Sequence, residues 1–144
     1  MWESSGVAME HLQGAASLAA HIKVPIEDLL LPCVFCGRFL DFHELTAFDY
    51  KQLQLTWKGG FPRGCCIPCA KTVSEQECML FTEVVLTSEE FANQVGGFAS
   101  IFVRCRLCLK LLSLTEKVNA ILHGEQFLRV RGRWRARCRC CINI

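Results

Sequence analysis

Apolar positions in this chain come in short bursts, and most bursts end on a turn residue or a cysteine pair. Leu12 to Ile22 reads as an amphipathic helix, and Pro25 is placed to open one more helical turn through Leu30. Asp41 is followed three residues later by Glu44, and Ser113 by Glu116. This capping-box arrangement satisfies free N–H groups at a helix start, so a short helix is predicted at each. Gly124 stops the second of these helices, and Phe127 to Arg131 then alternates apolar with polar as a strand requires; Leu53, Leu55 and Trp57 are expected to play that part after the first. Between these segments, Pro68 to Phe81 carries Ala70, Val73, Leu80 and Phe81 at helical spacing, and Thr87-x-x-Glu90 caps a short helix expected to stop at Gly96-Gly97.

The cysteines turn this string of elements into two domains. Of 11 cysteines, eight form four Cys-x-x-Cys pairs: Cys33/Cys36, Cys66/Cys69, Cys105/Cys108 and Cys138/Cys141. Each pair lets two sulfurs face one metal. Between Cys36 and Cys66 lie 29 residues, and between Cys108 and Cys138 again 29, so the first pair goes with the second and the third with the fourth. Two closed four-thiolate sites, holding two zinc ions, are the reading. Closed sites argue for structure over catalysis, because catalytic zinc keeps one position open. Cys65, Cys78 and Cys140 are left over and are read as small buried apolar residues.

Shifting the first half by 72 positions superimposes both sets of pairs. Arg38-Phe39-Leu40-Asp41-Phe42-His43-Glu44 then lies over Lys110-Leu111-Leu112-Ser113-Leu114-Thr115-Glu116, matching in charge, apolar pattern and closing Glu. The predicted fold class is α+β: two small duplicated zinc-binding domains joined by a linker helix. The expected boundaries are an N-terminal helical arm over 1–30, a first zinc domain over 31–70, a linker helix region over 71–97 and a second zinc domain over 98–144.

Composition adds two points. The formal net charge is only +2, yet from Arg104 onward ten Lys or Arg stand against Glu116 and Glu125, so the C-terminal part should favour anionic partners. The start, Met1-Trp2-Glu3, lacks a basic n-region, and the uncharged stretches fall short of the roughly 18 to 20 residues that a membrane span needs. A soluble protein of a reducing compartment, with no membrane partner, is expected.

The spacing of the pairs, together with Leu29-Leu30-Leu31-Pro32-Cys33, Phe48-Asp49-Tyr50, Glu116-Lys117 and Val130-Arg131-Gly132-Arg133-Trp134, resembles the papillomavirus early oncoprotein six (E-six) over essentially the whole chain. The likeness is closer to the cutaneous (beta/gamma-like) types. The resemblance implies a non-enzymatic adaptor whose zinc domains and linker helix enclose a groove for an acidic Leu-x-x-Leu-Leu helix of a host protein. It further implies that Val34, Phe35, Leu53, Cys65, Ala70 and Val73 line the apolar side, that Phe102 joins from the second domain, and that Arg104 and Arg133 clamp the peptide. Some members carry an arginine on the linker helix where this chain has Leu80. The implied partners are mastermind-like coactivators of Notch signalling first and a HECT-type ubiquitin ligase, the E-six-associated protein, second. Interference with the apoptotic protein Bak and with interferon signalling belongs to the same set. The implied location is the host nucleus and host cytoplasm. The end Cys141-Ile142-Asn143-Ile144 lacks the hydroxyl that class-one PDZ domains require.

Three alternatives stand beside this reading. Arg129, Arg131, Arg133, Arg135, Arg137 and Arg139 recur at every second position, which on one extended strand would form a single face able to bind DNA non-specifically. A zinc-dependent nucleic-acid-binding transcription regulator is the second function class. Trp134, interleaved with these arginines, is expected to pack beside the zinc rather than stack on a base. Tyr50 matches an aromatic position that lies on a dimer-forming surface in some members, and weak homodimerisation is weighed equally against a half-buried structural aromatic. A cysteine nucleophile paired with His43 or His123 has no sequence feature behind it.

Overall fold

The computed structural model describes residues 11–142. The expectations that rest on Met1-Trp2-Glu3 and on Asn143-Ile144 lie outside these residues. The chain divides into two compact units at Cys69/Ala70. Each mixes helices and strands, the α+β arrangement expected.

The first unit holds α1 (Ala15–Ile22), a 3-10 turn (Ile26–Asp28), α2 (Phe42–Tyr50) and the hairpin β1 (Thr56–Lys58) and β2 (Phe61–Arg63). α1 begins three residues later than predicted, and the reason is electrostatic. Gly14 at its N-cap has no side chain to accept a bond, and the Asp49 carboxylate of α2 takes over, accepting from Ala15 N (2.7 Å) and Ala16 N (2.8 Å). Leu18 and Ala15 are thereby held in a core with Leu31, Leu40, Leu45 and Phe48. The preceding residues are also tied down: Leu55 N donates to Gln13 O (2.8 Å) and Trp57 Nε1 to Leu12 O (3.0 Å). These bonds explain why the expected strand through Leu53, Leu55 and Trp57 shrinks to three residues. Leu53 N instead closes the end of α2 on Phe48 O, and Leu55 faces the N-terminal segment.

Helix α3 (Ile67–Phe81) runs from the second cysteine pair across the division between units, close to its predicted span. The second unit continues with β3 (Thr82–Leu86), α4 (Ser88–Gln94), a 3-10 turn (Phe98–Ser100), β4 (Val103–Cys105), α5 (Leu114–Leu122), β5 (Phe127–Val130) and β6 (Arg133–Ala136). Its sheet has the order β3-β5-β6-β4, antiparallel except for the β4–β6 pair. Phe91, Phe127 and Trp134 form its aromatic centre: the first two rings stack at 3.9 Å and Trp134 meets Phe91 edge-on at 5.1 Å. Trp134 therefore packs on the core of the second unit, with Phe91 as its ring partner. The helix capped by Thr87 ends at Gln94, two residues before the expected glycines.

The 72-residue repeat holds at the level of single backbone bonds. Val34 N donates to Gly64 O and Arg106 N to Ala136 O, both at 2.9 Å. Leu40 N donates to Leu31 O (2.9 Å) and Leu112 N to Val103 O (2.8 Å). Gly59-Gly60 and Arg131-Gly132 both take positive φ in two-residue hairpin turns. Gln52 and Gly124 both adopt left-handed conformations just past α2 and α5 (φ 55° and 70°).

The arginine stripe expected on one extended face does not form, because the turn at Arg131-Gly132 folds it into a hairpin. Arg129, Arg131 and Arg133 are exposed, whereas Arg135 is buried against α3, donating to Ser74 Oγ (3.0 Å) and Glu77 Oε1 (2.9 Å). Of the leftover cysteines, Cys65 and Cys78 are partly buried, but Cys140 is exposed, contrary to expectation.

The repeat also sets up a packing test. Gly64 and Ala136 occupy equivalent positions, but a Cβ on Gly64 would sit 2.9 Å from Leu31 Cδ2 and 3.2 Å from Leu40 Cδ2, both in buried leucines. Gly64→Ala should destabilise the first unit by about 1–3 kcal/mol, the usual cost of overfilling a core, read as a lower urea midpoint. An unchanged midpoint would show that the leucines yield without cost.

Candidate metal centres and peptide-contact residues

In each unit four cysteine sulfurs converge. Cys33, Cys36, Cys66 and Cys69 form one cluster and Cys105, Cys108, Cys138 and Cys141 the other, with all sulfurs of a cluster within 4.8 Å of one another. These are the two sets read from spacing. The Cys36–Cys66 and Cys108–Cys138 sulfur pairs are each 3.8 Å apart. The first pair of each cluster sits on a turn closed by Gly37 N to Cys33 O (2.9 Å) and Leu109 N to Cys105 O (3.0 Å). Both closing residues take positive φ (77° and 67°). Glycine does so freely, whereas Leu109 carries a cost of about 1–2 kcal/mol, which the four-cysteine site must hold in place.

Main-chain N–H groups point at the sulfurs: Phe35 N and Leu107 N lie 3.4 Å from Cys33 Sγ and Cys105 Sγ, and Cys138 N lies 3.4 Å from Cys105 Sγ. Burial raises the Cys33 thiol, but bonds from Cys36, Cys66 and Phe35 N–H groups outweigh it and bring the thiol down to about 6. Cys105 is lowered by hydrogen bonds from its cluster partners Cys108 and Cys138. Cys66, Cys69, Cys108, Cys138 and Cys141 move the opposite way. Cys108 is pushed up to about 12 mainly by its bond to Cys105, and Cys141 to about 12 by burial and the Cys105 charge. Four thiols this close cannot all ionise alone; a bound cation is what lets them do so, and each cluster can therefore hold a metal ion.

A buried carboxylate braces each centre. Glu44 accepts from Asp41 N (3.3 Å) as the capping box requires, and also from Arg38 Nη2 (2.8 Å) and from Ile67 N (2.9 Å) beside Cys66. Its counterpart Glu116 accepts from Ser113 N (3.2 Å), from the Lys110 ammonium and from Arg139 N (3.2 Å) beside Cys138. One side chain thus joins the helix start, the segment after the first cysteine pair and the backbone of the second pair. Burial by itself would raise both carboxyls, but the Arg38 and Lys110 bonds and the backbone N–H groups hold them below the ordinary range.

The residues expected to contact a peptide fall in different settings. Phe35 is exposed in the Cys33–Cys36 turn, and Val34, Leu53 and Cys65 are partly buried in the first unit. Burial pushes the Cys65 thiol up to about 12, so it stays protonated and apolar. On α3, Val73 is partly buried and Ala70 is only 1% exposed. Phe102 is 78% exposed, immediately ahead of β4. Arg104, within β4, donates to Leu109 O (2.9 Å) and stands opposite Arg135 in the sheet. Its pKa is lowered first by burial and then by the charges of Arg135 and Arg133. Arg135 is balanced by Glu77, while among the described residues no carboxylate pairs with Arg133.

Comparison with known proteins decides what these paired centres belong to. The family model described as Early Protein (E6) matches residues 33–141, from the first cysteine of one cluster to the last of the other. The chain belongs to the papillomavirus Early Protein (E6) family. It is 43% identical over 125 residues to Protein E6 of Human papillomavirus type 49, covering 86% of this chain and 91% of that protein. It is 41% identical over 129 residues to Protein E6 of Mastomys natalensis papillomavirus (87% and 93%), and 41% over 134 residues to that of Human papillomavirus 38 (92% and 95%). E6 proteins are viral regulatory proteins that act through host proteins, and the family is not one of enzymes.

Within this E6 chain the brace formed by Glu44 and Glu116 is the functional feature that sequence reading only half found. The capping-box spacing marks both residues, but their bonds to Ile67 and Arg139 span 23 positions and leave no local signal.

Proposed function

We propose that each four-cysteine cluster holds one zinc ion and that the chain so organised captures acidic Leu-x-x-Leu-Leu helices of host proteins. For zinc, a tetrahedron with Zn–S bonds of about 2.3 Å has sulfur–sulfur edges of about 3.8 Å, and both short sulfur pairs stand at 3.8 Å. All-thiolate donors also favour zinc over oxygen-seeking cations.

For peptide capture, the observation that carries the reading is an exposed aromatic ring close in the chain and the sheet to two arginines. Phe102 precedes β4, Arg104 lies two residues on, and Arg133 adds a charge felt at Arg104. An apolar anchor next to guanidinium groups suits an amphipathic helix with carboxylates on its flank. Mastermind-like coactivators are the favoured partners and the E-six-associated ubiquitin ligase the second, with effects on host transcription, protein degradation, apoptosis and innate immunity following from the captured protein. The host nucleus and cytoplasm follow as locations. The nucleic-acid reading is weaker, since burial of Arg135 in the Ser74–Glu77 network removes the continuous basic face it needed.

Titration of the metal-loaded protein with two labelled peptides, one from a mastermind-like coactivator and one from the ligase, tests this. Binding should weaken at least about tenfold in Arg133→Ala, the loss expected for one charge-assisted contact of about 1.5–3 kcal/mol, and in Phe102→Ala, with metal content unchanged. The tighter peptide names the pathway. Binding that neither substitution affects would remove the proposed contacts.

A further inference from the structure

Lys117 on α5 is 4% exposed, and among the described residues no carboxylate pairs with it. Its ammonium donates instead to three carbonyls of one short segment: Phe98 O (3.2 Å), Ala99 O (3.1 Å) and Ile101 O. Three donors meet three acceptors, so the group's hydrogen-bonding capacity is filled by that segment alone. The repeat shows how unusual this is. The position 72 residues earlier is Leu45, a core leucine 1% exposed. The second unit has placed a buried charge where the first has a hydrocarbon, which is costly unless the charge fixes something that apolar packing does not. Burial lowers the Lys117 pKa accordingly.

The segment it holds has little else. It follows Gly96-Gly97, and Ala99 and Ser100 are exposed. Only the partly buried Phe98, its ring 6.2 Å from that of Phe91, reaches the core. Local bonds from Ser100 N and Ser100 Oγ to Gly97 O (both 3.0 Å) close the turn without anchoring it to a helix. At its end stands Phe102, 78% exposed.

We propose that Lys117 is a positioning residue, holding segment 96–102 by its carbonyls so that Phe102 is presented in a fixed place before a peptide arrives. The inference rests on the peptide-capture reading and gives that surface a support that touches no peptide. A segment ordered in advance does not have to be ordered on binding, and that saving appears as affinity.

Lys117→Met keeps the apolar stem and removes the ammonium. With two metal ions still bound per chain, amide exchange at Ser100 and Ile101 should accelerate at least about tenfold, and affinity for an acidic Leu-x-x-Leu-Leu peptide should fall about tenfold, the cost of ordering one to two side chains and their loop. Unchanged exchange at these amides overturns the inference, as does faster exchange with unchanged affinity. If the wild type itself binds no peptide, the capture reading falls and with it the role of Phe102, while the exchange data still decide whether Lys117 holds the segment. Should the variant fail to fold, nitrogen-detected NMR of the wild-type Lys117 ammonium decides instead: protons protected from solvent support the hold, and protons exchanging as fast as those of a surface lysine contradict it.

Discussion

Stripping the metal with a strong chelator should unfold both units, with loss of far-ultraviolet ellipticity and a red shift of tryptophan emission. Zinc, the ion proposed for these clusters, supplies in structural thiolate sites on the order of 10–16 kcal/mol of apparent binding free energy, more than the whole stability of most small domains. The cysteines also belong to the cores. Cys33 and Cys66 are buried among Leu31, Leu40 and Leu45, and Cys105 and Cys138 in the cluster that holds Phe91 and Phe127. Four sulfurs crowded without a cation would sit inside the apolar centre of each unit. Acid should act in the same direction, because thiols such as Cys108 and Cys141, pushed up to about 12 in the absence of metal, surrender their protons only to a competing cation. Metal should therefore be released as pH falls, and unfolding should follow release rather than precede it. A chelated protein that keeps its ellipticity and cooperative melting would show that the hydrophobic cores suffice.

Glu116→Gln should be the most damaging single change outside the cysteines. The Lys110 ammonium that Glu116 accepts is itself buried, with 10% of its side chain exposed. Removing the carboxylate leaves that cation with no compensating charge from Glu116, a loss of about 3–5 kcal/mol for a broken buried pair. Glu44→Gln should cost clearly less, because Arg38 keeps 49% of its side chain in solvent and can be hydrated. The pH dependence has a definite sign. Both carboxyls are held below their unfolded values. They therefore contribute stability above the unfolded carboxyl pKa of about 4.3, and that stability is lost as pH falls through the lower folded value. Urea midpoints for the two variants at neutral pH check the ordering, and equal losses would mean that burial of the basic partner does not set the cost.

Much of this architecture was legible because it is written twice. The 29-residue spacing between pairs names both clusters, and the capping boxes at Asp41 and Ser113 place α2 and α5 without reference to any tertiary contact. The strands were harder. β3, β4 and β6 are three to five residues long, too short for a period-two pattern, and β4 joins the sheet through its parallel pairing with the distant β6. The six alternating arginines illustrate the difficulty: read as one strand they form a face, yet the 72-residue shift lays Arg131-Gly132 over Gly59-Gly60, a turn signal in plain sight. The start of α1 could not be placed locally, since the group that caps it, Asp49, lies over 30 positions away. Lys117 was visible only as part of the Glu116-Lys117 resemblance, and its role depends on carbonyls that sequence does not display.

The capture of an acidic helix is the centre of this account, and a single titration addresses it: metal-loaded protein against a Leu-x-x-Leu-Leu peptide with acidic flanks, beside the same peptide with its leucines changed to alanine and a third with its carboxylates amidated. The expected result is saturable one-to-one binding of the first, abolished by the leucine changes and weakened by amidation, as an exposed Phe102 beside Arg104 and Arg133 demands. A folded protein carrying two metal ions that binds none of the three, or all three alike, would contradict it.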